Sequence, residues 1–382
     1  MATLILPGRR RALRDKIARL HWPLITLLTI IAGAGVATLY SVAEGNWNPW
    51  ALKHAIRYSV ALCMLMVLGL IAIRYWMTLA YPVYFVALAA LAATPFIGEI
   101  NMGARRWLEF GGFQFQPSEA MKIGLVLALS RYYNGLRVEQ VSHFLYLIPP
   151  LLMIGVPVGL VFIQPDLGTA LLLAATGVIL IFVAGLSWRL GVIGIISAVV
   201  IGYLAYRFEF LKPYQLQRIL TFLDPERDPL GKGYHLLQSK IALGSGGLDG
   251  KGYMEGTQSQ LKFLPEMQTD FIFTIFGEEF GFVGACGLLL VYLAVILTGL
   301  SVANASKSHF GRLASIGVVA TFALYVIINT GMVMGLAPVV GVPLPLVSYG
   351  GTVMLTIMAG FGIVMSAHVY RDQDALRRSS FL

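Results

Sequence analysis

The sequence predicts an all-α, polytopic integral membrane protein of about ten transmembrane helices, and three observations predict it. Of 382 residues, 57% are hydrophobic and only 12% charged, about half the charged fraction of a soluble domain. The apolar residues fall into unbroken blocks of roughly 20, the length that crosses a ~30 Å hydrocarbon core. Basic residues gather beside those blocks. Arg9, Arg10, Arg11, Arg14, Lys16 and Arg19 precede the first, and Arg371, Arg377 and Arg378 follow the last.

That placement decides what the net charge of +9 means. Lys and Arg flanking membrane segments set orientation and touch anionic lipid, which argues against nucleic acid as a partner. Cys63 and Cys286 both lie inside apolar blocks and can build neither a disulfide framework nor a Cys-rich metal site. Six histidines without a close-spaced pair leave a His-based metal site unsupported. The first apolar block lacks a small-residue cleavage site and is expected to remain as an anchor.

In chain order, residues 1–22 form a basic cytoplasmic segment, 23–370 a single membrane domain, and 371–382 a cytoplasmic tail. Helices are expected at about 24–43, 56–73, 76–97, 118–133, 144–163, 167–187, 189–206, 271–300, 313–335 and 348–368. Ten crossings return both termini to the cytoplasmic side of an inner membrane. Arg74, the Arg131–Arg137 loop, Arg189 and the Lys307–Arg312 loop then fall on that side too, as the positive-inside trend requires. Lys53 with Arg57, Arg105 with Arg106, and a large outer loop at 207–269 fall on the other. Tyr214, Phe222, Tyr234, Tyr253 and Phe263 in that loop predict packing against the membrane domain, with short amphipathic helices near 215–223 and 233–243.

Ionisable groups at membrane depth are costly, so each one asks for a role. Asp270 stands where the outer loop meets the eighth helix. It, or Thr269 beside it, can cap the helix, and it can also be a carboxylate at the mouth of an outward cavity, able to accept a proton; the two readings are compatible. Glu119 and Lys122, three residues apart, share one helix face. They form either a self-neutralising interfacial pair or a cleft in which Lys122 meets an anionic ligand. Arg105 and Arg106, followed by Trp107, resemble an interfacial anchor, yet guanidinium groups also match phosphate in bidentate geometry. Their break with the positive-inside trend favours phosphate. Gln164-Pro165-Asp166 makes a tight outward turn in which Asp166 caps the next helix. Glu278 and Glu279 lie two turns into the eighth helix, one toward the cavity and the other toward a polar neighbour. Pro338, Pro343, Pro345 and the Gly350-Gly351 pair break the path between the last two helices, which is tolerated only under protein or water.

Two motifs fail. Gly250-Lys251 lacks the glycine that a phosphate-binding loop would need at 245, where Ser stands. Asp372-Gln373-Asp374 imitates a sugar-nucleotide metal motif, but in a polar tail without an α/β domain around it.

Taken together, Arg106-Trp107-Leu108, Gln116-Pro117-Ser118-Glu119, Gln164 through Thr169, Gly256 through Gln260, Thr269 through Phe273, Pro338 through Pro345 and Ser348 through Gly351 resemble the SEDS family (shape, elongation, division and sporulation). The likeness spans nearly the whole chain and favours the elongation branch over the division branch. It implies a peptidoglycan glycosyltransferase that polymerises lipid II outside the cytoplasmic membrane, with Asp270 as the essential carboxylate. Arg106, Glu119, Lys122 and Asp166 carry over as cavity residues, and Arg105, Gln164 and Glu279 are grouped with them as candidate diphosphate or cavity contacts. Also implied are a class B penicillin-binding protein as transpeptidase partner and other membrane proteins of the elongation complex. No cofactor is demanded; a divalent cation, magnesium or manganese, is the candidate. The competing classes are a lipid II flippase and a non-catalytic scaffold for the transpeptidase.

Overall fold

The computed structural model describes residues 13–101, 104–110, 113–208, 232–257 and 266–371, with residues 216, 217, 220–222 and 224 between them. Arg9 to Arg11, residues 215, 218, 219 and 223 of the helix expected near 215–223, and Asp372 to Asp374 lie outside the described residues.

A short helix α1 (Leu13–Ala18) leads into α2 (Trp22–Val42), which His21 caps by accepting from the Leu24 N–H at 3.2 Å, with proline in its first turn. Next comes α3 (Ala51–Gly69), which starts five residues earlier than its hydropathy suggests. Lys53, His54 and Arg57 are polar, but His54 is buried with its Nε2 2.9 Å from the Leu346 carbonyl oxygen. A tertiary acceptor thus lets the helix extend through a polar stretch. After α4 (Ile73–Ile97) the chain forms a small antiparallel sheet of β1 (Glu99–Asn101), β2 (Ala104–Phe110) and β3 (Phe113–Phe115). Its registers pair Ile100 with Arg105 and Leu108 with Phe115.

Helix α5 (Pro117–Asn134) is polar for a membrane segment, carrying Glu119, Lys122 and Arg131, and its charges survive because it is enclosed. Glu119, Lys122 and the run Leu125 to Ser130 are all buried, and α4 and α7 (Phe144–Ile163) pack against it. A single turn, α6 (Val138–Val141), links α5 to α7. Helices α8 (Leu167–Val183) and α9 (Trp188–Arg207) follow. From α9, Ile193, Ile195, Ile196, Val199 and Ile201 point outward on every side, which suits a hydrocarbon solvent and not water.

Within the long 207–269 loop, α10 (Lys232–Ser245) falls where an amphipathic helix is expected. It packs on α11 (Ile272–Ala305) and on α12 (His309–Val333). The last helix, α13 (Gly351–Val369), lies along α3. Seven of these helices are long and apolar enough to cross a membrane: α2, α3, α4, α7, α11, α12 and α13. With the shorter apolar α8 and α9 and the enclosed α5, they account for all ten expected segments.

Helix α11 is broken at Gly281, whose φ of 66° and ψ of −166° no other residue adopts comfortably. The glycine-dense run of the same long loop fills the break. Phe282 and Val283 donate their N–H groups to the Gly247 and Leu248 carbonyls at 2.9 and 3.1 Å, and Lys251 and Gly252 donate to Glu278 and Glu279 at 3.0 and 3.1 Å. What reads in sequence as a failed phosphate loop is a structural plug that satisfies an interrupted helix.

Candidate functional site

At one end of the bundle a cavity of about 630 Å³ opens between α5, α8, α12 and the non-helical segment before α13. Its wall includes Arg106, Glu119, Lys122, Asp166, Asp270 and Tyr325, together with Val339 to Pro343 and Tyr349 to Gly350.

Asp270 ends a turn that Glu266 organises. With φ at 58°, the Glu266 carbonyl accepts from the N–H groups of Thr269 and Asp270 at 3.1 and 3.2 Å, while its carboxylate accepts from the Thr269 hydroxyl at 2.8 Å. The turn is gripped from behind. The Asn329 amide donates to the Asp270 carbonyl at 2.9 Å and to the Val342 carbonyl at 2.7 Å. Ser348 donates to the Thr269 carbonyl at 2.5 Å, and the Tyr349 N–H to the Gln268 carbonyl at 2.7 Å. The N-cap of α11 is Phe271, without a side-chain capping bond, so Asp270 is not the cap residue of that helix. Its carboxylate instead lies beside Gly341: a Cβ there would come 3.3 Å from Asp270 Oδ2. The proline- and glycine-rich 338–351 segment is therefore the second wall of the site, and its broken backbone is covered by protein and cavity as the membrane demands.

Glu119 and Lys122 sit on the first two turns of α5, 2% and 1% exposed, with Lys122 Nζ 2.6 Å from Glu119 Oε1. From α12, the buried Tyr325 hydroxyl donates to both Glu119 oxygens, at 3.0 and 2.9 Å, and accepts from Lys122. The pair is thus not interfacial but deep in the cavity wall. Two opposite charges out of water persist there because each is hydrogen-bonded as well as paired.

The remaining expected residues divide. Asp166 caps α8, accepting from the Thr169 N–H at 3.1 Å and its hydroxyl at 2.9 Å, and still lines the cavity. Arg106 also lines the cavity, but its Nε and one terminal nitrogen donate to the Gln164 and Pro165 carbonyls at 3.1 and 2.6 Å. It clamps the turn that carries Asp166. Three members lie elsewhere. Arg105 reaches back to the Pro95 and Phe96 carbonyls at 3.1 and 3.4 Å because alternation along β2 sends neighbouring side chains to opposite faces. Gln164 is buried with its amide on the Leu91 carbonyl at 2.9 Å. Neither carboxylate two turns into α11 faces the cavity: Glu278 pairs with Lys251 at 2.7 Å and Glu279 accepts from Ser41 of α2. The break at Gly281 and the loop filling it claim that face of the helix.

Sequence reasoning missed Tyr325, Asn329 and Tyr349. The first two had a visible signal, since polar residues four apart inside an apolar block share one helix face. Among the described residues, no group of three or more His, Cys, Asp or Glu side chains could hold a metal ion.

The family model described as "Cell cycle protein", covering FtsW, RodA and SpoVE, matches residues 15–373. The peptidoglycan glycosyltransferase MrdB of Escherichia coli strain K12 is 45% identical over 320 residues, 82% of this chain and 84% of that one. Stage V sporulation protein E of Bacillus subtilis is 31% identical over 362 residues, 91% of this chain and 96% of its own. Among solved structures, a chain from a study of polymerization and crosslinking by a peptidoglycan synthase complex superposes with a TM-score of 0.82 at 32% identity, covering 93% of this chain and 99% of that one. The Thermus thermophilus rod shape determining protein RodA superposes with a TM-score of 0.70 at 28% identity, covering 92% and 97%.

Proposed function

Because the chain belongs to the cell cycle protein family of FtsW, RodA and SpoVE, we propose that its cavity is where lipid II is polymerised and that Asp270 is the general base. The protein is a peptidoglycan glycosyltransferase of cell elongation. Its reaction joins the 4-hydroxyl of an acceptor sugar to C1 of a donor sugar carried on a prenyl diphosphate, with inversion. Asp270 takes the hydroxyl proton as the C–O bond forms, and the diphosphate departs with the bonding pair. A diphosphate leaves as an anion and needs a cation more than an acid, a need met by Lys122 in a wall where water is largely excluded. Both prenyl chains stay in the bilayer while the sugars meet in the cavity, so two reactants are held in near-attack geometry at little entropic cost.

The observation that carries this reading is the pairing of one backbone-gripped carboxylate, Asp270, with one buried ammonium, Lys122, across a single cavity. The cavity then faces the wall side of the cytoplasmic membrane, both termini are cytoplasmic, and the transpeptidase that crosslinks the product is a class B penicillin-binding protein. Purified protein given lipid II tests it. Wild type yields glycan chains, and Asp270→Asn, an isosteric change that removes the base, lowers the rate by about 10²–10⁴-fold with the melting profile unchanged. Retained polymerisation in that variant refutes the base assignment. No product from wild type, alone or with the transpeptidase, returns the protein to the flippase or scaffold class.

A further inference from the structure

Lys122 is the cation the proposed chemistry calls on, yet an ammonium on a four-carbon stem is a floppy donor. Two neighbours hold it. Lys122 has three N–H groups; one goes to Glu119 at 2.6 Å and one to the Tyr325 hydroxyl. Tyr325 in turn spends its own proton on the Glu119 carboxylate, 3.0 and 2.9 Å from its two oxygens. The three groups close a ring of charge-assisted hydrogen bonds, and among the described residues no other group takes the third N–H of Lys122. Tyr325 is also the member that comes from another helix. Glu119 and Lys122 share α5, whereas Tyr325 stands on α12, four residues before the Asn329 that grips the carbonyl of Asp270 at 2.9 Å.

From this we propose that Tyr325 is a positioning residue for glycosyl transfer: it fixes the Lys122 ammonium so that its remaining N–H points into the cavity at the departing diphosphate. One face of α12 thereby sets both halves of the chemistry, Tyr325 orienting the cation and Asn329 the backbone of the base. The phenol also guards against the default alternative. Without it the Lys122 and Glu119 side chains, three apart on one helix, relax into a simple ion pair in which the carboxylate takes more of the ammonium's charge. Tyr325 gains and loses no proton overall in this role. It touches neither the reacting sugar carbons nor the attacking hydroxyl.

The inference rests on the glycosyltransferase reading, and the test separates the two. Steady-state polymerisation of lipid II by detergent-purified wild type and Tyr325→Phe is compared with that of Lys122→Gln and the double variant. Glycan-free wild type overturns the parent reading and leaves nothing for Tyr325 to orient. With active wild type, Tyr325→Phe is expected to lose ten- to a hundredfold in kcat with KM for lipid II within twofold, because the missing contact matters at departure and not at docking. In the Lys122→Gln background the same change has less than a twofold effect, because Tyr325 acts through the ammonium. A Tyr325→Phe protein with unchanged kcat, or one whose loss multiplies undiminished onto Lys122→Gln, overturns the proposal. Should Tyr325→Phe fail to fold, 4-aminophenylalanine installed at position 325 keeps the ring and restores an N–H donor to Glu119. Recovery to within tenfold of wild-type kcat supports the positioning role, and an inactive but folded protein sinks it.

Discussion

Single residues of this site owe their character to what grips them. Asp270 is ordinary in type and unusual in support: its own carbonyl, and those of Thr269 and Gln268, are all acceptors for groups brought in from α12 and the segment before α13. Gly341 stands directly against its carboxylate at a φ of 74°. The left-handed backbone alone costs a side chain about 1–2 kcal/mol. A Cβ would also press on Oδ2 from 3.3 Å. Gly341→Ala should therefore lower polymerisation by tenfold or more while shifting the melting midpoint only a few degrees, and an equally active variant would show that the carboxylate has room to move. The residue types of this region were legible in sequence, but their partners were not. Asp270 could have been a cap, and only the position of Phe271 as N-cap settles that it is not.

Elements show a second pattern, in which one segment completes another. The break of α11 at Gly281 leaves backbone groups that the 247–252 loop satisfies, and Lys251 crosses the join to Glu278 at 2.7 Å. Gly250 has a φ of 83° and lies so close that an added Cβ would overlap the Glu279 carbonyl. Left-handed strain and overpacking together put Gly250→Ala at roughly 2–5 kcal/mol destabilising. Gly244→Ala makes the matched control, since a Cβ at 244 meets nothing within 4 Å; thermal unfolding in detergent should separate the two variants clearly. The small sheet makes its own prediction. Hydrogen bonding to Glu109, then like-charge repulsion from it, pushes the Glu99 carboxyl above its ordinary pKa. A raised acid stabilises the fold when protonated, so this contribution is present at acid pH and is lost as pH rises through the folded-state value. Hydrogen exchange of the sheet amides, corrected for intrinsic rates, should be slower at pH 4 than at pH 7. Glu109→Gln should remove that difference.

At the scale of the molecule, the bundle has an enclosed helix, α5, that could not cross a bilayer alone with Glu119, Lys122 and Arg131 aboard. Its neighbours supply the partners: Tyr325 for the first two, and for Arg131 the Met77 and Thr78 carbonyls at 2.8 and 2.9 Å. The charges of α5 lie inside, while α9 turns apolar side chains outward all round. The proposed orientation follows from the basic flanks. With Cys63 and Cys286 replaced by Ala, a single cysteine at the exposed Leu248 should react with a membrane-impermeant maleimide in cells whose cytoplasmic membrane is intact. One at the exposed Arg137 should react only after permeabilisation. The reverse pattern would put Asp270 on the cytoplasmic side and end the account of outward polymerisation.

Composition and block length alone were enough to determine a helical membrane protein, because a bilayer accepts only long apolar segments whose backbone is satisfied internally. The positions of Asp270, Glu119, Lys122 and Asp166 were readable for a related reason: ionisable groups are too costly at that depth to go unnoticed. What each of them bonds to was decided only by the packing. Arg105 and Arg106 are neighbours in sequence, yet strand alternation sends one to the end of α4 and the other to the cavity wall. Glu279 is as rare a residue as Asp270, but a break two residues further along hands it to α2 instead. Hydropathy records the cost of burying a group, whereas the contact that offsets that cost comes from chain far away in sequence, and only the folded bundle brings it there.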